Sequence, residues 1–164
     1  TPIKSSAASD VYKRQEQITA ELWSANLYLS MSFYLKKEGF SGMANWMRKQ
    51  SAKEVGHACT IAEYMVKREA TPKVDKVDVV PQGWGNSLEV FEHALEHEKH
   101  ISKLIDELVY LASEEKDNAT QDFLWKFVRE QVEEEAGVQN IVNLLKKAGD
   151  SGILFIDAKL DGCK

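Results

Sequence analysis

Apolar residues recur along this chain at steps of three and four, the period of an amphipathic helix, and glycine and proline cluster where the long patterns stop. The first pattern runs to about Glu38 and is broken by Gly39 to Gly42. The second continues to about Glu69, which makes the pair an antiparallel hairpin. Ala70 to Asn86 carries Pro72, Pro81, Gly83 and Gly85 without a helical period, and Ser87 then opens a third helix as its expected N-cap. That helix ends near Glu115. A polar turn follows around Asp117 and Asn118, and a fourth helix runs to about Ala148. Gly149 and Gly152 bracket a break before a short apolar tail, Ile153 to Leu160.

The connection after the second helix is the long one. Its 17 residues extend to ~55 Å, whereas a 25-residue helix is ~38 Å long. It can therefore cross the whole bundle and set helices two and three parallel. The expected class is all-α, an up-down-down-up four-helix bundle with one crossover.

Each buried stripe is interrupted by an acid. Helix one offers Ile18, Glu21, Ala25, Tyr28, Ser32 and Leu35; helix two offers Ala44, Met47, Ser51, Glu54, Ala58, Ile61 and Met65. Helix three offers Leu88, Phe91, Leu95, Glu98, Ser102, Ile105 and Val109, and helix four Leu124, Phe127, Gln131, Glu134, Val138, Ile141 and Leu145. A buried carboxylate costs several kcal/mol unless it is paired or bound to metal. The stripes carry no lysine or arginine at those levels, so a cation from outside is expected.

Height along the bundle tests whether the acids can share one. Counted from residue 40, Glu21 lies 19 residues back and Glu54 and His57 lie 14 and 17 forward. Counted from residue 116, Glu98 lies 18 back and Gln131 and Glu134 lie 15 and 18 forward. These residues form one layer. His57 follows Glu54 by three and so shares its face, whereas His93, His97 and His100 have no such neighbour and read as a solvated face. Mixed carboxylate and imidazole ligands suit iron or manganese better than calcium or structural zinc.

Composition narrows the partners. A net charge of −5 argues against nucleic acid, and no apolar run approaches the ~18 residues of a membrane span. The two cysteines, Cys59 and Cys163, have neither disulfide-framework nor zinc spacing. With no export signal at the start, a cytoplasmic location is expected.

The strings AELWSANLYLSMSFY, KEVGHA, FEHALEHEKHISKL, DFLWKFVREQVEEEA and AGDSGILFID resemble the bacterial non-haem ferritins over roughly Gln15 to Leu160. The resemblance implies a ferritin-like di-iron domain over 15–164. It implies a ferroxidase site in which Glu21, Glu54 and His57 hold one iron and Glu54, Glu98 and Glu134 the second. Gln131 stands beside the second iron and Tyr28 is the family's tyrosine near the site. It further implies two iron ions per subunit without haem, iron(II) and oxygen or hydrogen peroxide as substrates, and storage of the ferric product. A homo-oligomeric shell of 24 subunits with octahedral symmetry is implied too, with Ile153 to Leu160 as a short fifth helix at its fourfold contacts.

Two departures stand out. Lys53-Glu54 replaces the family's pair of acids, so the accessory third iron site, whose other acids match Glu130 and Glu133, is expected to be weak. Lys53 lies about 100° around the helix from Glu54 and is expected to point toward Glu130 and Glu133. The segment Thr1 to Arg14 lacks the family's amphipathic start. Gln131-x-x-Glu134 stands where bacterioferritins carry Glu-x-x-His, and a full ligand set within one chain differs from the mini-ferritins, whose sites lie between subunits. These two relatives and a small non-storage di-iron enzyme are the alternatives.

Overall fold

The computed structural model describes residues 3–162, with side chains from residue 10 onward. It contains α1 (Ile3–Lys37), α2 (Ser41–Lys67), α3 (Ser87–Glu114) and α4 (Asn118–Asp161), with no strand among the described residues. Helix α1 packs on α2 and α3, and α4 on α3 and α2. No helix of the described residues is long and apolar enough to cross a membrane. Although the first residues lack the expected amphipathic start, α1 already begins at Ile3, and Asp10 and Arg14 are buried against each other.

Three of the helices stop in the same way. Gly39, Glu69 and Lys116 take φ of 91°, 61° and 57°. After each, the next N–H reaches back to a carbonyl of the last turn: Phe40 to Leu35, Ala70 to Met65 and Asp117 to Ala112, all at 2.9 Å. At the start of α3 the cap is Asn86 rather than Ser87, because its Oδ1 accepts the Glu89 N–H at 2.9 Å. Asp117 caps α4 through the Thr120 N–H at 3.1 Å.

The connection from α2 to α3 climbs along α1. Gln15 clamps its lower part, donating to the Lys73 carbonyl at 2.7 Å and accepting the Lys73 N–H at 2.8 Å. Higher up, Ser30 donates to the Pro81 carbonyl at 3.2 Å and Tyr34 to that of Gly85 at 2.5 Å. Residues 15 to 34 of a helix span roughly 28 Å, so the crossing sets α2 and α3 parallel, as the length of the connection predicts.

A layer of acids divides the core. On one side Leu27, Met31, Leu35, Met43, Phe91 and Val138 belong to the larger apolar cluster; on the other, Ile18, Ile61, Met65, Ile101, Ile105 and Phe127 form a second.

The end of the chain breaks at Gly149, where the sequence places the boundary of the terminal segment. Although α4 is given as one span to Asp161, the helix is interrupted at Gly149, whose φ of 60° and ψ of −178° leave the helical region, so the residues after it form a second helical segment. Beyond the bend the segment folds onto the start of α2. Ile156 joins the core, the Met43 N–H donates to Asp157 Oδ1 at 2.8 Å, and Asn45 Nδ2 donates to Asp161 Oδ1 at 2.8 Å. Asp157 thus supplies the capping oxygen that Phe40, at the N-cap of α2, cannot offer. The approach needs a glycine, since a Cβ on Gly42 would lie 1.8 Å from the Asp157 carbonyl oxygen. Gly42→Ala is therefore expected to lift the segment after Gly149 off the bundle and to cost α2 a cap of about 1 kcal/mol. Limited proteolysis would then cut between 149 and 161 well before the bundle, and an unchanged digestion pattern would reject the contact.

Candidate metal centre

All four acid-bearing stripes turn inward, and they bring their acids to one level. Glu21, Glu54 and Glu98 are almost fully buried, and the Glu134 side chain is only 11% exposed. The tightest group is on the side of α1 and α2. One ligand atom each from Glu21, Glu54 and His57 lie within 4.8 Å of one another, a metal-sized arrangement and the only such group found among the described residues. His57 Nδ1 lies 3.0 Å from Glu54 Oε2 and 3.8 Å from Glu21 Oε2. Gln17 donates to Glu21 Oε1 at 3.0 Å, while Glu21 Oε2 is buried without a hydrogen-bond partner.

Burial sets the charges here. It pushes the Glu54 carboxyl up to about 8, against the pull of His57 and with the help of Glu21 and Glu98. Burial also opposes ionisation of Glu21, but His57, Glu54 and Gln17 outweigh it and hold Glu21 below the usual carboxylate range. For His57 the two acids overcome burial and raise the imidazole to about 10. At neutral pH the trio therefore holds one carboxylate, one carboxylic acid and one imidazolium. Two of its three members carry protons that a metal ion would have to displace.

The other half of the layer is held differently. The Tyr28 hydroxyl donates to Glu98 Oε1, and Gln131 Nε2 donates to Glu98 Oε2 at 3.1 Å and to Ser102 Oγ at 3.2 Å. Burial raises the Glu98 carboxyl although Tyr28 and Gln131 oppose it, and burial beside Glu98 pushes the Tyr28 phenol far up. Glu134 accepts from Gln50 Nε2 at 2.8 Å and from Lys53 Nζ at 2.5 Å.

Three expectations need correction. Lys53 does turn toward α4, but it pairs with Glu134, not with Glu130 or Glu133. Starting one residue from Glu54, its long side chain spans the α2/α4 face and reaches the nearest buried acid. The layer consequently has a lysine at its own level, contrary to the reading of the stripes alone. Glu130 instead lies 3.1 Å from His57 Nε2, the place from which a carboxylate orients a ligating imidazole. Glu133 is exposed and does not join the group.

His97 is the third correction. His93 and His100 are exposed, but His97 is half-buried between α1 and α3. Its Nε2 lies 2.7 Å from Ser24 Oγ and its ring lies 5.2 Å from Trp23 and 6.3 Å from Tyr28. Burial, reinforced by His100, lowers it to about 4, so it stays neutral. Its spacing hid this, since the covering surface comes from α1. Gln17 and Gln50, each one helical turn before a stripe glutamate, also serve the layer, a role that the apolar stripes alone do not indicate. Cys59 is exposed and unpaired, and Cys163 lies outside the described residues.

Comparison with known proteins agrees with this geometry. The ferritin family model, described as a ferritin-like domain, matches residues 15–148. A bacterial non-heme ferritin of Bacteroides fragilis is 66% identical over 145 residues, covering 88% of this chain and 91% of its own. One from Campylobacter jejuni is 35% identical over 137 residues, with 84% and 82% covered. Among solved structures, the open pore ferritin of the hyperthermophilic archaeon Archaeoglobus fulgidus superposes with a TM-score of 0.93 at 40% identity, covering 95% of this chain and 97% of that one. A buried layer of acids at one level in an up-down-down-up bundle, together with relatives of this identity and coverage, establishes that the chain belongs to the bacterial non-haem ferritins.

Proposed function

We propose that the chain is an iron-storage ferritin subunit that oxidises iron(II) inside its own bundle. The observation that carries this reading is the trio of Glu21, Glu54 and His57, buried within 4.8 Å of one another with one carboxylate oxygen left unpartnered. Buried acids at such separation are costly without a cation. Their mixture of oxygen and nitrogen donors suits iron(II).

In this reading iron is the substrate. The first ion takes Glu21, Glu54 and His57 Nδ1, with Glu130 holding the far side of the imidazole. The second takes Glu54 as a bridge together with Glu98 and Glu134, beside Gln131 and Tyr28. Each iron(II) gives up one electron. Dioxygen accepts two electrons and two protons to become hydrogen peroxide, or hydrogen peroxide accepts them to become two waters. Carboxylates favour the more highly charged iron(III) product, which leaves to join the stored mineral. Glu130 and Glu133 would serve a third ion only weakly, since Glu130 is engaged by His57 and Lys53 stands beside the group.

A shell of 24 identical subunits belongs to the same proposal. Phe33 and Val79 are exposed and line one groove along α1 and the crossing connection, while Leu154 and Phe155 are exposed on the terminal segment. Apolar surface of this kind calls for a partner. The free thiol of Cys59 fits a reducing, cytoplasmic setting. Native mass measurement is expected to return a shell of many times 18.6 kDa; a lone subunit or a dimer would instead favour the small di-iron enzyme.

Replacing Glu54 or His57 with alanine should slow the initial oxidation of iron(II), followed by absorbance in air, by roughly tenfold or more. The helical content should stay intact. Oxidation at the parental rate in both variants would place the chemistry elsewhere.

The protonation of the trio yields a second expectation. At pH 7 both Glu54, near 8, and His57, near 10, hold protons, and both must lose them to bind a metal ion. Ion binding should therefore release protons and tighten as pH rises toward 8 and beyond. Anaerobic calorimetry of iron(II) binding in buffers of different ionisation enthalpy would count the protons, and Glu54→Gln should release fewer. Binding with no proton release would contradict the charge state derived for the trio.

A further inference from the structure

Glu98 and Glu134 are the two acids that complete the layer beyond the trio, and they are held by different chemistry. Glu98 receives neutral donors, the Tyr28 hydroxyl and the Gln131 amide. Glu134 receives a cation. Lys53 Nζ sits 2.5 Å from Glu134 Oε1, and Gln50 Nε2 holds the other oxygen at 2.8 Å. The carboxylate on which a second iron depends is thus already neutralised by an ammonium of the same chain.

That ammonium can leave. The Lys53 side chain is 46% exposed whereas that of Glu134 is 11% exposed, so the cation reaches in from solvent on the α2/α4 face and can return there. A pair so exposed at one end is worth little, while a divalent ion brings twice the charge to the same oxygen. The Glu21, Glu54 and His57 group has no such occupant.

We propose that Lys53 is a displaceable internal cation that closes the second half of the iron site, so that the two irons load in order, first at Glu21, Glu54 and His57 and then at Glu134 once Lys53 has swung out. This deepens the ferroxidase reading and rests on it. Lys53 acts here as a specificity-determining residue through Glu134, and it need not touch the metal. The same contact sets a preference among ions, because only an ion that binds Glu134 more strongly than an ammonium does fills the second position. With its ammonium back on Glu134 after the product has left, the site returns to the starting state without help from another molecule.

The test uses the assembled, iron-free protein and cobalt(II), which binds carboxylate and imidazole without being oxidised by air under these conditions. Calorimetric titration of the parent should resolve two ions per subunit with unequal affinities. In Lys53→Met and Lys53→Gln the first affinity should be unchanged and the second should tighten by up to roughly fivefold, the change that about 1 kcal/mol produces. Lys53→Arg, which keeps the charge, should retain the unequal pair. A crystal structure of the cobalt-loaded parent should show Lys53 Nζ beyond hydrogen-bonding distance of Glu134. Equal affinities in the parent, a second affinity that the neutral variants leave unchanged, or a lysine still on Glu134 with both ions bound would each overturn the proposal. A parent that binds no cobalt at all would instead sink the metal-site reading beneath it, which separates the two failures.

Discussion

A carboxylate carried from water into a helical core forfeits solvation worth several kcal/mol unless donors or a cation replace it, and this chain carries four to one level. Everything distinctive about the bundle answers that constraint. Glu54 stays protonated, Glu21 is ionised against the imidazolium of His57, Glu98 is cradled by Tyr28 and Gln131, and Glu134 is matched by Lys53. Each acid has a partial substitute for a metal, although Glu21 Oε2 is left without a hydrogen-bond partner. Each substitute is of a kind that an arriving cation can displace: a proton, a hydrogen bond or an ammonium on a flexible stem.

The substitutes are distributed unevenly, and the unevenness follows the packing. On the side of α1 and α2 the ligands Glu21, Glu54 and His57 lie within 4.8 Å of one another, and no lysine or arginine of the described residues reaches between them. On the side of α2 and α4 a longer gap opens to solvent, and there side chains with reach, Gln50, Lys53 and Glu130, span from one helix to the other. The layer is chemically asymmetric although its glutamates are nearly symmetric in sequence.

Much of this was legible in the sequence because it depends on periodicity. The apolar stripes, the glycines at the first turn and the length of the connection after α2 determine which face each helix buries and which way each runs. The level of Glu21, Glu54, Glu98 and Glu134 follows from counting residues to a turn, since the rise per helical residue is constant. What could not be counted was reach and cover. Lys53 finds Glu134 because a lysine stem is long and flexible, which spacing does not encode. His97 is enclosed because α1 lies against it, and a pattern read along α3 alone assigns it to solvent. The terminal segment folds onto α2 through contacts between Gly42, Met43 and Asp157, more than a hundred positions apart, where no local signal marks them as partners.

The division of the core explains how a stable fold tolerates such a layer. The larger cluster around Phe91, Met31 and Val138 and the second around Ile61, Ile105 and Phe127 lie on either side of the acids, and each buries apolar surface that contributes roughly 25 cal/mol per Å². Each cluster touches the layer at one aromatic residue, Tyr28 at Glu98 in the larger and Phe127 at His57 in the second. In the proposed loading, the acids exchange protons for metal and Lys53 moves aside while the apolar packing on both sides holds the helices. A single continuous core through the middle of the bundle would be more stable and would leave no room for the exchange. The position of the layer, flanked by apolar packing at both ends and reached from solvent by Lys53 and Glu130 along α2 and α4, is what allows binding chemistry and fold stability to be set largely by different residues of the same four helices.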